Sequence, residues 1–510
     1  MGNVKPLFIF EMANNHSGSV EHAKKIIDAV KECCIYDEFE YAFKFQYRDL
    51  DTFIHNDYKD RMDIKNIKRF TQTRLSEEQF LEIKDYCESK GFISICTPFD
   101  EISVDKVVKH GYKYLKIASC SCTDWPLLEK IAAADLPIIL STAGATEKEI
   151  KNAVCFFKHR NKNLTLMHCV AEYPTAIENL QLNQIDYLRN LDYYGNKFDD
   201  IRIGYSTHEA PDNYSSVGIA VGKGATVFEK HVGVATDEIS LNAYSANPDQ
   251  VKNWLKCAHE AFLICGRINE RPDRTAKEES DLRALQRGAF AKEAIHKGDL
   301  ITYDKVFYAI PGSEGQVLAN DMSKYTEIVA ENDINPNAPI KFEDVSYADK
   351  REAVEKIYSD VSALLNKAGI ALADDVSFEL SHHYGLGRFY EIGTTIIECI
   401  NREYCKKIIV VLPGQKNPNH YHVKKEETFQ VLYGDIEIEL DGVLKECHAG
   451  EIVTVEREVK HSFSSKNGGI FEEVSSTHYV DDSFYDDEAI MNNKFRKTKV
   501  KYYKGKKIND

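Results

Sequence analysis

What this chain of 510 residues lacks narrows its roles first. No apolar run approaches the roughly 20 residues of a membrane helix. The opening MGNVKPLFIFEMANNH lacks the charged-then-apolar build of a secretion signal, so no membrane association is expected. No CxxC…CxxC zinc spacing occurs. The 13 cysteines lie scattered through apolar runs, as at Cys96, Cys120, Cys169, Cys265 and Cys399, and Cys120 and Cys122 stand too close for a zinc knuckle. They read as reduced core residues of a cytoplasmic protein. Basic residues are not in excess either. The formal net charge of -16 speaks against nucleic-acid binding through a global positive field. An acidic protein that handles an anion must gather its lysines locally.

What is present is a rhythm. Eight short, strand-like apolar runs end in residues that do chemistry. They are FIFEMA with Glu11, YAFKFQ with Lys44 and Gln46, FISICTPF with Thr97, and YLKIAS with Lys116 and Ser119. PIILSTA follows with Ser141 and Thr142, LTLMHCV with His168, IGYSTH with Ser206 and His208, and TVFEKHV with Glu229 and His231. Amphipathic segments of helical length separate most of them. This is the sequence image of an α/β fold, an eightfold (β/α)8 TIM barrel, in which strand C-termini converge on one pocket. The length implies two to four domains.

The barrel pattern ends near Gly266, after a helical stretch over about 248–264. RINERPDRTAKEESDLRALQRG is charged and helix-prone and reads as a linker. Two stretches then resemble each other, AIHKGDLITYDKV (294–306) and DINPNAPIKFEDV (333–345), which predicts a small pseudo-symmetric β domain. An amphipathic helix is expected over 349–372. From Cys405 onward, alternating strands with Gly and Pro turns predict an all-β barrel or jelly roll. The tail FRKTKVKYYKGKKIND reads as a solvated terminus. The expected boundaries are 1–266 for the barrel, 267–282 for the linker, 283–348 for the small β domain and 349–510 for the last domain with its helical lead-in.

His208 and His231 end adjacent strands and could share a divalent cation, with Glu11 or water filling other positions. Such a metal polarises a carbonyl. Lys44 and Lys116 sit inside apolar strands, so each should face an anion, or else pair with a barrel glutamate such as Glu229. Ser119, Ser141, Thr142 and Ser206 add neutral donors around that anion. His168 alone reads as a hydrogen-bonded structural group.

EMANNHSGS, FKFQ, TPFD, KIAS, LSTAGAT, HCVAEYPT and FEKH together resemble the sialic acid synthase family. The resemblance spans roughly 8–345, because the internal repeat is similar to that family's antifreeze-like (SAF) domain. It implies condensation of phosphoenolpyruvate with an open-chain aldose to a nonulosonic or related 3-deoxy-ulosonic acid, with C–O cleavage and phosphate release. It implies that Lys44, Lys116, Ser119, Ser141 and Ser206 hold phosphoenolpyruvate and that His208 and His231 bind Mn or Mg. Glu11, Gln46 and Tyr173 would approach the sugar, Glu229 the reacting centre, and Thr97 the substrate. It also implies a homodimer in which the SAF domain caps the partner's barrel. The chain departs from the family pattern at Ala171, at Leu241 and Asn242, at Ile310 and in STAG. The first three put the acceptor sugar in question.

PGQKNPNHYHVKKEETFQVLYG supplies His420, His422 and Glu427, and AGEIVTVEREVKHSF supplies His461. The set resembles the cupin metal motif and calls for a divalent first-row metal of undetermined identity. LPGQKNPNHYHVKKEETF is also similar to cupin sugar isomerases of the D-lyxose isomerase kind, which implies isomerisation or epimerisation of a sugar, with Lys425 or Glu437 as candidate groups. His382, His383 and Tyr384 read as structural. The alternatives are a Schiff-base aldolase using pyruvate on Lys116, and a non-catalytic sugar-binding protein on the same folds.

Overall fold

The structure is a computed structural model that describes residues 5–267, 270–493 and 496–502. The chain divides into two compact units at Pro272 and Asp273.

In the first unit, β1 (Leu7–Glu11), β2 (Glu40–Tyr47), β3 (Ile93–Pro98), β4 (Tyr114–Ile117), β5 (Ile138–Ser141), β6 (Leu164–Cys169), β7 (Arg202–Thr207) and β8 (Val227–His231) form a closed barrel. Its pairs are parallel, and β8 returns to β1. Period-2 alternation explains how polar groups reach its mouth. Leu7, Ile9, Ala42, Ile95, Ile139, Met167 and Val227 form an apolar floor inside the barrel. Two residues farther along six of these strands stand Glu11, Lys44, Thr97, Ser141, Cys169 and Glu229, on the same face. The intervening Phe8, Phe10, Phe43, Leu115, Ile117, Leu140, Leu166 and Phe228 point outward into the helix-packed core. Truncating one of those phenylalanines to Ala would cost about 3–5 kcal/mol. Gly204 on β7 is needed for closure, since a Cβ there would meet the Met167 sulfur at 2.4 Å and the Val227 carbonyl at 2.5 Å.

Local signals set the helices between strands. Ser76 with Gln79, Thr146 with Glu149, and Asn247 with Gln250 each form a reciprocal capping box, the last with Pro248 in the first turn. The helix expected over 248–264 spans Pro248–Cys265.

In the second unit, the charged segment forms a helix, Ala276–Leu285. Two antiparallel ribbons follow, Gly288–Ala291 with Val306–Ala309 and Thr326–Ala330 with Val345–Asp349. The repeat is visible in them. Each copy ends in a short 3-10 turn, Tyr303–Lys305 or Phe342–Asp344, before a strand. Ile295 and Ile334 exchange both backbone hydrogen bonds, at 2.9 and 2.8 Å. The helix Arg351–Lys367 lays Val354, Ile357, Val361 and Leu365 against Phe378, Ile408 and Val410 of a large antiparallel sheet. Alternation on the strand Tyr404–Val411 then turns Ile409 and Val411 into a second core with Phe429, Ile436 and Phe471.

The sheet begins earlier and ends later than the sequence pattern indicates. Ser377–Ser381 and Thr394–Asn401 are strands preceding Cys405. The tail is no simple solvated end: Lys497–Lys501 pairs antiparallel with Ser377–Ser381. Its charges disguised it, because alternate residues face polar partners, with Lys497 2.6 Å and Lys499 3.5 Å from Glu379. Phe495 and residues 503–510 of the tail lie outside the described ones. No helix among the described residues is long and apolar enough to cross a membrane.

Candidate functional sites

Glu229 is the hub of the barrel mouth. It is 3% exposed, and its carboxylate accepts from Lys44 Nζ at 2.7 Å, Lys116 Nζ at 2.8 Å and Ser206 Oγ at 3.2 Å. Lys44 also meets Glu11 at 2.5 Å, and Gln46 Nε2 donates to Glu11 at 3.1 Å. Burial would raise the Glu229 carboxyl, but Lys116 and Lys44 outweigh it and hold it well below the carboxylate range. Burial lowers the Lys44 ammonium to about 8 despite the attraction of Glu229.

His208 and His231 face each other beside this cluster, with ring centroids 5.3 Å apart. Burial lowers both below the usual histidine range, His231 furthest, so both are neutral near pH 7. His208 Nδ1 lies 3.0 Å from the Val170 carbonyl. A proton on Nδ1 satisfies that oxygen and leaves Nε2 with a free lone pair, the arrangement a metal-binding histidine uses.

The other expected barrel residues divide. Ser119 Oγ accepts from the Ala143 amide at 3.3 Å, and Ser141 is buried at the end of β5. Thr97 is buried beside Gln46 in register, its hydroxyl without a hydrogen-bond partner. Tyr173, 55% exposed, stands over the histidines, 4.3 Å from the His208 ring, and not in the Glu11–Gln46 pair. His168 bonds the Leu180 carbonyl at 2.8 Å, a structural contact.

Sequence reasoning missed Tyr244, whose ring lies 5.1 Å from His231 and 5.3 Å from Tyr173 and so closes the aromatic wall. It stands in EISLNAYSANPD, three residues after Leu241, whose Cδ2 leaves no room for a Cβ at Gly233. Arg48 was missed as well, although it follows Gln46 by one strand period.

In the second unit, His420 and His422 alternate at the end of Lys416–Tyr421, Glu427 opens the strand Glu427–Leu440 and His461 opens His461–Ser464. One ligand atom from each histidine lies within 4.8 Å of the others. All three Nδ1 atoms are anchored on backbone carbonyls: His420 on Pro418 at 3.0 Å, His461 on Val459 at 3.0 Å and His422 on Asp482. That fixes the tautomers and turns the Nε2 lone pairs inward. His461 Nε2 then lies 3.0 Å from Glu427 Oε2, and neither atom has a hydrogen-bond partner. Two buried acceptors face to face are satisfied by a shared proton or by a cation between them, and the three histidines with Glu427 fit a divalent metal.

A buried charge chain continues from that set, with Lys425 touching Glu427 and Glu473 and Lys407 reaching Glu473 at 3.1 Å. Burial lowers the Lys425 ammonium, but Glu427 and Glu473 raise it overall. The cavity holds about 310 Å3. Of the candidate groups, Lys425 lines it, whereas the exposed Glu437 accepts from Ser464 Oγ at 2.8 Å. His383 is tied closer than its spacing indicated, reaching Asn417 at 3.1 Å, which lies 3.3 Å from His420 Nδ1.

A model of the NeuB family matches residues 35–270, and one of the cupin domain matches 407–470. An uncharacterised protein of Methanocaldococcus jannaschii is 31% identical over 315 residues, covering 61% of this chain and 87% of that protein. The N,N'-diacetyllegionaminic acid synthase of Legionella pneumophila is 29% identical over 328 residues, covering 60% and 85%. A crystal structure from Chromobacterium violaceum, carried under the provisional name spore coat polysaccharide biosynthesis protein E, is 49% identical with a TM-score of 0.64. It covers 67% of this chain and 100% of its own.

Proposed function

Because the chain belongs to the NeuB family, we propose that its barrel condenses phosphoenolpyruvate with an open-chain aldose to give a nonulosonic or related 3-deoxy-ulosonic acid. The observation that carries this is the Lys44–Glu229–Lys116 cluster at the barrel mouth. Its two ammonium groups match the phosphate and carboxylate of the donor, with Ser119, Ser141 and Ser206 as neutral donors around them. Counting Glu11 and Glu229, the buried charges there cancel. A ligand of roughly −3, a phosphate plus a carboxylate, therefore calls for an additional cation. The neutral His208 and His231 are the residues to hold it, with Mn or Mg as the expected ion. A divalent cation held there polarises the acceptor's aldehyde.

Lys44 and Lys116 then steady the negative charge while carbon 3 of phosphoenolpyruvate bonds to the aldehyde carbon, whose oxygen takes a proton. Water adds at carbon 2 and loses a proton. The bond from carbon 2 to the phosphate oxygen breaks, leaving a ketone and inorganic phosphate. Glu229 keeps both ammonium groups aimed at the anion, and Glu11, Gln46 and Tyr173 face the acceptor. Lys116 clamped to Glu229 suits a fixed charge rather than a free amine nucleophile.

We assign the cupin a divalent metal on His420, His422, Glu427 and His461, and an isomerisation or epimerisation of a sugar before or after condensation. The parts are taken as 1–266, 283–348 as the antifreeze-like domain, and 349–510. The antifreeze-like domain is assigned the role of capping a partner's barrel in a homodimer, which light scattering tests. Thirteen free thiols support a reducing, cytoplasmic setting. The deciding assay incubates a panel of aldoses with phosphoenolpyruvate and Mn2+ and measures phosphate release. A condensation product by NMR is expected for at least one aldose, and no release with any of them would sink the reading.

A further inference from the structure

Arg48 follows Lys44 and Gln46 at two-residue intervals, so the three lead outward from the lysine cluster at roughly 7 Å per step. Its guanidinium is sandwiched between two aromatic rings, 3.6 Å from the Phe99 centroid and 4.1 Å from that of Phe70. Nη2 donates to Gln46 Oε1 at 2.9 Å, and Nε is buried with no hydrogen-bond partner. Burial lowers this arginine to about 10, which leaves it charged at neutral pH.

Arg48 lines a cavity of about 540 Å3 with Asn14, His16, Gln46 and Thr73. The carboxylates lining that cavity are already taken. Asp49 is paired with Lys106 at 2.8 Å, Asp51 with Arg74 at 2.9 Å, and Glu77 with Lys109 at 2.7 Å and His110 at 3.0 Å. Arg48 has no carboxylate ion pair among the described residues. Burial also keeps His16 neutral, at about 4. A charged guanidinium held flat by two rings, with no carboxylate partner and in a side chain that lines a roomy cavity, suits a planar or tetrahedral anion.

We propose that Arg48 is a specificity residue that binds an anionic group on the far end of the acceptor, so that this enzyme takes a phosphorylated or carboxylated aldose. This rests on the condensation reading above. Phosphoenolpyruvate occupies the Lys44–Lys116 end, the acceptor chain runs past Gln46, and its phosphate or carboxylate ends at Arg48.

The test compares a neutral aldohexose, its 6-phosphate and its uronic acid as acceptors in wild type, Arg48→Gln and Arg48→Lys, reading phosphate release. Wild type should favour one anionic acceptor over the neutral one by at least about tenfold in kcat/KM, the worth of a charge-assisted contact. Whether the phosphate or the uronate wins identifies the anion. Arg48→Gln should collapse that ratio, and Arg48→Lys should keep part of it. An equal loss for neutral and anionic acceptors would show that Arg48 only props Gln46 and would overturn the proposal, as would a wild type indifferent to acceptor charge. Calorimetric titration of the same three sugars runs beside the kinetics. If wild type releases no phosphate with any acceptor, the condensation reading fails. In that case, tighter binding of an anionic sugar that disappears in Arg48→Gln still supports the anion receptor, and its absence overturns it.

Discussion

The barrel mouth and the cupin cavity are built from the same residue types, histidine, glutamate and lysine, yet they allot charge in opposite ways. In the barrel the carboxylate is consumed by lysines, since Glu229 accepts from both Lys44 and Lys116, and the two histidines stand apart as neutral donors. In the cupin the carboxylate is turned toward the histidines, with Glu427 Oε2 facing His461 Nε2 across 3.0 Å and Lys425 on its other oxygen. On the proposed function, the first arrangement prepares a place for an anion, with an added cation to balance it. On the same reading, the second prepares a place for the cation itself. Histidine and carboxylate content alone does not distinguish them; which group the carboxylate faces does.

The largest expected effect comes from removing the barrel histidines. His208→Ala and His231→Ala should each abolish phosphate release and lower the metal retained after dialysis, measured in a background whose cupin ligands are already changed. Unchanged metal and turnover would mean that the barrel needs no cation and that the charge contrast is wrong. Next, His420→Ala with His461→Ala should strip the proposed cupin metal and stop the sugar conversion proposed there, while phosphoenolpyruvate still condenses with a supplied acceptor. Product analysis by NMR with the fold checked by circular dichroism decides this, and loss of condensation itself would merge the two sites into one.

Lys116→Met should lower kcat/KM for phosphoenolpyruvate at least about tenfold, because one charge-assisted contact to the anion is lost. Wild-type kinetics there would make Lys116 a mere partner for Glu229. The smallest effect is on pH. Burial holds Lys44 at about 8, so kcat/KM should fall as pH rises through that value and the free enzyme loses a positive charge. The same depression gives the opposite sign for stability. Between about 8 and the ordinary lysine range the unfolded chain binds the proton that the folded chain has released, so this group's contribution to folding grows with pH. Activity and melting temperature moving together across that window would remove Lys44 from the assignment.

The eight strand ends were legible because period-2 alternation from an apolar floor leaves one face for polar residues, and Ile9 before Glu11 or Ala42 before Lys44 displays it. The cupin histidines were legible for the same reason. Tyr244 and Arg48 were not, because Tyr244 sits in the loop between His231 and Pro248 and Arg48 just past the end of β2, where position depends on how the chain folds back. The strand Lys497–Lys501 was hidden by its charge, since Lys497 and Lys499 are satisfied by Glu379, and Lys501 by Asp375, more than a hundred residues upstream.

That long-range pairing bears on how the chain is made. His382 bonds Thr498 across 116 residues at 2.9 Å, and Arg496, Lys497 and Lys499 line the cupin cavity. Synthesis proceeds from the N-terminus, and domains generally fold as they emerge. The eight barrel strands are complete by His231, so the barrel can close while the ribosome is still at work. The cupin must wait with the edge at Ser377–Ser381 unpaired until Lys497–Lys501 arrives. A nascent chain halted before Arg496 would carry a finished barrel tethered to a cupin whose cavity still lacks one wall.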